Sequence, residues 1–133
     1  EPFMAASAIS LVAAQRLVRR NCRRCLTEYK PDPETLLALG LGSSSSGSRF
    51  PFLRGEGCAA CRGRGYDGRL AIIERMSLNQ ELRQLVAEGK PAAAVRELAL
   101  QQGMNSLRQS GLRKVREGQT TVEEVLRVCA SDD

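Results

Sequence analysis

The sequence contains no histidine and no tryptophan, and only three phenylalanines and two tyrosines occur among its 133 residues. Without histidine, Ser-His-Asp and Cys-His catalytic arrangements are excluded. A phosphate-binding G-x-x-x-x-G-K-[ST] loop is also missing, and no G-x-G-x-x-G run opens a helix. No apolar run approaches the roughly 20 residues needed to cross a bilayer. These absences predict that the chain alone is no enzyme and that it inserts into no membrane.

Four of the five cysteines form two C-x-x-C pairs, Cys22 with Cys25 and Cys58 with Cys61. Such paired spacing is typical of a tetrahedral four-thiolate metal site, because one tight turn aims both of its sulfurs at a single point. We interpret the four residues as ligands of a structural zinc ion, with a rubredoxin-like iron centre and thiol redox chemistry as alternatives. The fifth cysteine, Cys129, falls on an apolar helical stripe and is predicted to lie in the core.

The odd number of cysteines and the lack of a secretory signal predict a protein of the reducing cytosol. The net charge is +5, and the basic excess surrounds the cysteine pairs. A divalent metal held by four thiolates carries a net charge of about −2. We therefore expect the nearby arginines to screen the site, with a nucleic-acid footprint as the alternative. These arginines are Arg19, Arg20, Arg23, Arg24 and Arg62.

The pattern of apolar residues predicts a helix over 3–15 and a strand over 16–20. A second strand over 69–76, rich in branched residues, is its expected antiparallel partner. Residues 22–68 would then form a tetracysteine zinc module inserted between two short strands. Within that module the pattern predicts a short helix over 35–39 and a flexible Ser-rich loop over 42–48.

The last part of the chain, 77–133, is predicted to be a helical subdomain of four helices. Capping-box spacing marks the start of two of them, at Ser77 and at Thr121, and glycines mark three of the ends. The predicted fold class is thus mainly α with a small β hairpin. The opening residues, Glu1-Pro2-Phe3, also predict that the chain belongs to a longer protein.

Several blocks of residues, in order, resemble the C-terminal third of the bacterial type II secretion and type IV pilus assembly ATPases. The resemblance covers the chain except for its Ser-rich loop. The blocks are Glu1-Pro2-Phe3, Ala14-Gln15-Arg16-Leu17-Val18-Arg19, Gly55-x-Gly57-Cys58-x-x-Cys61-x-Gly63-x-Gly65-Tyr66-x-Gly68-Arg69, Ile72-x-Glu74, Gln102-Gly103-Met104-x-x-Leu107 and Gly111-Leu112-x-Lys114-Val115-x-x-Gly118-x-Thr120-Thr121-x-Glu123-Glu124-Val125.

This resemblance implies a cytoplasmic, usually hexameric, ATP-driven motor that lies at the inner membrane through its partners, the platform proteins of a secretion or pilus system. Residues 1–21 would be the C-terminal edge of a RecA-like nucleotide-binding core. Cys22, Cys25, Cys58 and Cys61 match the family's zinc ligands. ATP and magnesium are expected only for the full-length protein, since the phosphate-binding loop and catalytic carboxylates would lie before Glu1.

Two other classes of binding module share parts of the pattern. A nucleic-acid-binding zinc ribbon would account for the arginines, although the chain has few aromatic residues for stacking and no basic recognition helix. A chaperone-type zinc module would account for Cys58-x-x-Cys61-x-Gly63-x-Gly65, although such modules carry several repeats. Salt-dependent binding to random DNA or RNA would support the first, and a client-refolding assay would test the second.

Overall fold

The computed structural model describes residues 2–41 and 51–129, so the predicted Ser-rich loop, 42–48, lies outside the described residues. Within these ranges six helices and four strands form a mixed α/β fold. In chain order they are α1 (Pro2–Ala8), β1 (Leu11–Asn21), β2 (Leu26–Tyr29), α2 (Pro33–Ala38), β3 (Phe52–Gly55), β4 (Tyr66–Ser77), α3 (Gln80–Ala87), α4 (Ala92–Gln101), α5 (Leu107–Arg116) and α6 (Val122–Cys129). None of the helices in the described part of the chain is long and apolar enough to cross a membrane.

The two predicted strands do pair, because β1 and β4 form a two-stranded antiparallel sheet. The predicted helix over 3–15 is wrong in extent: α1 ends at Ala8, and β1 already begins at Leu11. Alanines at 13 and 14 suggested a continuing helix. The branched side chains of Val12 and Val18 and pairing with β4 outweigh that local preference.

The second sheet was not predicted. Strand β2 pairs antiparallel with β3, and Leu26 lies opposite Gly55 while Tyr29 lies opposite Phe52. Each strand has only four residues, which is too short for a visible alternation of polar and apolar residues. The pairing depends on contacts between segments that are far apart in the sequence.

The chain groups into two compact units, one formed by Glu1–Ala14 and Ile73–Ser106 and the other by Gln15–Ile72 and Leu107–Asp133. Of the four helices predicted for 77–133, α3 and α4 belong to the first unit and α5 and α6 to the second.

In the first unit, α3 begins at an Asn79 cap whose side chain accepts a hydrogen bond from the N–H of Leu82 at 2.9 Å. The cap of this helix, Asn79, is therefore two residues later than the predicted cap at Ser77. The core of the first unit consists of Leu78, Leu82, Val95 and Ala99.

The core of the second unit is built from small branched residues, as expected for a chain poor in aromatics. The fully buried aliphatic side chains are Val18, Ile72, Val115, Val122 and Val125. Helices α5 and α6 pack closely at Gly111. A Cβ atom at this position would come within 2.9 Å of both Cγ atoms of Val125 and 3.4 Å of Ile72 Cδ1. Any larger residue at this position would displace the side chain of Val125.

We expect Gly111→Ala to destabilise the chain. In an exposed helix the same change stabilises by about 1 kcal/mol, because alanine loses less backbone entropy on folding. At Gly111 the added methyl group overpacks the core, which costs about 1–3 kcal/mol. Chemical denaturation should show a lower unfolding free energy for Gly111→Ala, whereas Arg113→Ala, at an exposed position of α5, should change it little. A more stable Gly111→Ala variant would contradict the close packing.

Candidate metal centre

The cysteine pairs lie at the two turns that connect the small sheets. The first knuckle, Cys22–Cys25, joins the end of β1 to the start of β2. The second knuckle, Cys58–Cys61, lies between the end of β3 and the start of β4. Because β2 pairs with β3 and β1 pairs with β4, both knuckles are brought to the same place.

The four cysteine sulfurs lie within 4.8 Å of one another. Three of the sulfur–sulfur distances are 3.8 Å, namely Cys22 to Cys58, Cys25 to Cys61, and Cys58 to Cys61. A tetrahedral ion with metal–sulfur bonds of about 2.3 Å requires its sulfurs to be about 3.8 Å apart. The residues present therefore fit a four-thiolate metal site, and all four positions of the tetrahedron would be protein ligands.

Backbone N–H groups point at the sulfurs, as a cluster of negatively charged thiolates requires. The N–H of Gly57 donates to Cys25 Sγ at 3.3 Å, and the N–H groups of Cys58 and Gly65 each donate to Cys61 Sγ at 3.2 Å. Cys22 and Cys61 are buried, and Cys25 and Cys58 are half-buried. The site is thus largely removed from water and supplied with donors.

The thiols differ in how readily they ionise. Burial opposes ionisation of Cys61, but the N–H groups of Cys58 and Gly65, together with the neighbouring thiols, outweigh it and lower the pKa of Cys61 to about 6. Burial raises the pKa of Cys25 to about 12, because the N–H of Gly57 opposes it only in part and the other thiols add to the increase. Since a metal-ligating cysteine must be a thiolate, any metal affinity of this site would fall in acid.

Two glycines allow the strands at the site to approach closely. A Cβ atom on Gly65 would lie 2.2 Å from the carbonyl oxygen of Gly55, and a Cβ atom on Gly55 would lie 2.2 Å from the carbonyl oxygen of Gly65. The carbonyl of Gly65 also accepts a hydrogen bond from the N–H of Cys22 at 2.9 Å. This contact joins the residue that follows β1 to the segment that leads into β4. Backbone packing therefore explains Gly55 and Gly65.

We expect Gly65→Ala to weaken metal binding and stability strongly. Both Gly65 and Gly63 have positive φ angles, +79° and +75°, so alanine is strained at either position. Gly63 has no atoms within 4 Å of an added Cβ, whereas at Gly65 the methyl group would collide with backbone. The unfolding free energy of Gly65→Ala should be lower than that of Gly63→Ala by about 2–3 kcal/mol. Equal stabilities for the two variants would show that the close approach is unimportant.

The five arginines predicted to screen the site behave differently from one another. Arg19 makes an ion pair with Glu124, and its guanidinium lies 4.3 Å from the centre of the Tyr66 ring. Arg20 Nε donates to the carbonyl oxygen of Asp67 at 3.2 Å. Among the described residues, Arg23 and Arg24 have neither a hydrogen-bond partner nor an ion-pair partner. The screening role therefore stays a prediction for the arginines in the first knuckle, and Arg19 serves chiefly to bind Glu124.

The sequence predicted Glu124 only as part of the cap of α6, yet just 1% of the residue is exposed. Thr121 Oγ1 accepts a hydrogen bond from the N–H of Glu124 at 3.2 Å, which confirms the predicted cap of α6. The carboxylate accepts five hydrogen bonds. One comes from the backbone N–H of Arg19 at 2.7 Å, two from the side chain of Arg19 at 2.7 and 3.1 Å, and two from the side chain of Arg127 at 2.9 and 3.2 Å. The capping-box pattern identified Glu124, but it gave no sign of the partner on β1.

Cys129 lies in α6 and has no exposed surface. It is not one of the four cysteines that cluster among the described residues. Its position agrees with the prediction of a core cysteine.

Comparison with known proteins places the chain in a family. The sequence model described as "Type II/IV secretion system protein" matches residues 1–127. The chain is 46% identical over 127 residues to the type IV pilus assembly ATPase PilB of Thermus thermophilus, a match that covers 95% of the chain and 14% of that relative. It is 41% identical over 133 residues to PilB of Myxococcus xanthus, covering 99% of the chain and 23% of the relative. It is 39% identical over 128 residues to the type II secretion system protein HxcR of Pseudomonas aeruginosa, covering 96% and 23%. The chain thus spans a quarter or less of these relatives and belongs to the type II/IV secretion system protein family.

Proposed function

We propose that this chain is the zinc-binding C-terminal portion of an ATPase motor that powers type II secretion or type IV pilus assembly. The observation that carries the zinc assignment is the sulfur geometry, since three pairs of cysteine sulfurs are separated by 3.8 Å and all four lie within 4.8 Å. Cys22, Cys25, Cys58 and Cys61 would hold the ion. Four thiolates select zinc or iron, and four protein ligands leave no position for water or substrate. The role of the metal is then structural.

The experiment that tests this assignment is metal analysis of the purified chain. Mass spectrometry of the metal content should find one zinc ion per chain, and X-ray absorption should find four sulfur ligands. A coloured protein that contains iron would support the rubredoxin-like alternative. A folded protein with no metal would contradict the proposal.

The names of the relatives support the motor context. Those from Thermus thermophilus and Myxococcus xanthus are named as type IV pilus assembly ATPases. We propose that the full-length protein binds ATP and magnesium through residues outside this chain, acts in the cytoplasm as a hexamer and contacts platform proteins of the inner membrane. In this portion the metal would rigidify the module 22–68, and the helices after it, within 77–133, would transmit motion. ATP hydrolysis and oligomeric state of the full-length protein, measured with and without zinc, test this role.

Residues 1–21 supply a further reason to expect a larger assembly. Several apolar side chains of the β1–β4 sheet face solvent: Leu11 is 51% exposed, Val12 46% and Leu17 44% on β1, and Ile73 is 41% exposed on β4. Strands with this much uncovered apolar surface are typical of a sheet that belongs to a larger core. The exposure supports the proposal that residues 1–21 form the edge of a nucleotide-binding core.

A further inference from the structure

The turn before α6 and the first turn of that helix lie against the end of β1. We call residues 118–124 the docking turn. The carbonyl oxygen of Gln119 accepts a hydrogen bond from the N–H of Asn21 at 2.8 Å, and Thr120 Oγ1 donates to the carbonyl oxygen of Arg19 at 2.7 Å. Glu124 accepts from the N–H of Arg19 at 2.7 Å. The backbone that leads directly into the ligand Cys22 is therefore held by the docking turn.

Asn21 connects the docking turn to the second sheet. Its side-chain Nδ2 donates to the carbonyl oxygen of Leu53 on β3 at 3.1 Å and to the carbonyl oxygen of Gly118 at 3.0 Å. Only 2% of Asn21 is exposed. A buried amide with these two partners joins the residue before the first knuckle, the strand before the second knuckle and the docking turn.

Two tyrosines, one on β2 and one on β4, form hydrogen bonds with the N-terminal end of α6. Tyr29, at the end of β2, donates from its hydroxyl to Glu123 at 2.6 Å. Tyr66, at the start of β4, lies with its hydroxyl 2.8 Å from Thr121 Oγ1. Strand β2 follows the first knuckle and β4 follows the second, so both sides of the cysteine site are tied to the first turn of α6.

From these contacts we infer that metal binding by the cysteines and docking of α6 are one linked equilibrium. The four strands around the knuckles supply the contacts for the docking turn, and their mutual positions depend on the four sulfurs converging on one ion. By thermodynamic reciprocity, contacts of the docking turn that favour the assembled strands also raise the metal affinity of the cysteines. Loss of the metal would weaken the docking of α6 against the strands, so the position of this helix depends on whether the cysteines hold a metal ion. This inference rests on the proposed zinc site.

The first test measures the effect of the docking turn on metal affinity. Competition of the 133-residue chain with a chromophoric zinc chelator should show that Thr120→Val and Tyr66→Phe each weaken zinc affinity by about tenfold, with one zinc per chain retained. Both substitutions remove a hydroxyl and conserve shape. Glu97→Gln, at an exposed position of α4, is the control and should leave affinity unchanged. If Thr120→Val and Tyr66→Phe bind zinc as tightly as the parent chain, the inference is wrong.

The second test measures the reciprocal effect. Hydrogen exchange followed by mass spectrometry should show that chelation of zinc increases exchange in residues 118–129 by about tenfold or more, with α3 and α4 as the internal reference. A chain that binds one zinc ion, but whose α6 exchanges equally with and without metal, overturns the linkage and leaves the proposed zinc site standing. A chain that binds no zinc overturns both.

Discussion

Cys61→Ser is expected to abolish stoichiometric zinc binding and to unfold the unit formed by Gln15–Ile72 and Leu107–Asp133. Cys61 is buried, and its sulfur accepts two backbone hydrogen bonds. Apparent binding free energies of structural zinc sites are about 10–16 kcal/mol, and a small domain has a total stability of about 5–15 kcal/mol. The unit has a core of small aliphatic side chains, so loss of the ion should remove most of its stability. Thermal unfolding followed by circular dichroism, with and without chelator, measures the loss.

Cys129→Ala is the matched control for this experiment. Cys129 is also fully buried, but it lies in α6 and packs in the core. Removing its sulfur should cost about 1–2 kcal/mol through lost packing and should leave one zinc ion per chain. Retention of zinc and of the parent melting temperature by Cys61→Ser would contradict the assignment of this residue as a ligand.

The cysteine cluster was predictable because the same C-x-x-C spacing occurs twice in the sequence. Cys22 and Cys58 are separated by 36 positions, yet the repeated C-x-x-C spacing indicates that they converge. Helix ends were predictable for a related reason, since the signal is local. Gly89, Gly103 and Gly118 all have positive φ angles, +72°, +101° and +78°, just after α3, α4 and α5.

Pairings between ordinary residues far apart in the sequence were not predictable. Arg19 and Glu124 are separated by 105 positions, and neither an arginine in a strand nor a glutamate in the first turn of a helix suggests a particular partner. The β2–β3 pair was missed because four residues carry too little pattern. The early end of α1 at Ala8 was missed because alanine favours helices, whereas pairing of β1 with β4 decided the outcome.

Glu124→Gln is expected to lower the unfolding free energy at neutral pH by about 2–3 kcal/mol. The substitution leaves the side chains of Arg19 and Arg127 and the backbone N–H of Arg19 without a charged acceptor. Burial by itself opposes ionisation of Glu124. Hydrogen bonds from Arg127 and Arg19, including the backbone N–H of Arg19, outweigh burial and lower the pKa of Glu124 from 4.5 to about 2. Each unit of pKa shift corresponds to about 1.4 kcal/mol, and the half-exposed arginine side chains reduce the effective contribution to about 2–3 kcal/mol.

The sign of the pKa shift fixes the pH dependence. The unfolded chain binds the Glu124 proton at higher pH than the folded chain does, so the stabilisation is complete above about pH 4.5 and is lost as pH falls towards about 2. The difference in unfolding free energy between the parent chain and Glu124→Gln should therefore shrink by more than half between pH 7 and about pH 3. Acid would also remove metal from the thiolates, and the two proteins need not lose it at the same pH, because Glu124 belongs to the docking turn. Their unfolding free energies are therefore compared only where metal analysis finds the same metal content in both. Glu117→Gln is the control: its surface pair with Lys114, at 3.7 Å, should contribute less than about 0.5 kcal/mol at any pH. A difference for Glu124→Gln that stays constant from neutral to acid pH would show that the carboxylate charge contributes nothing to the docking of α6.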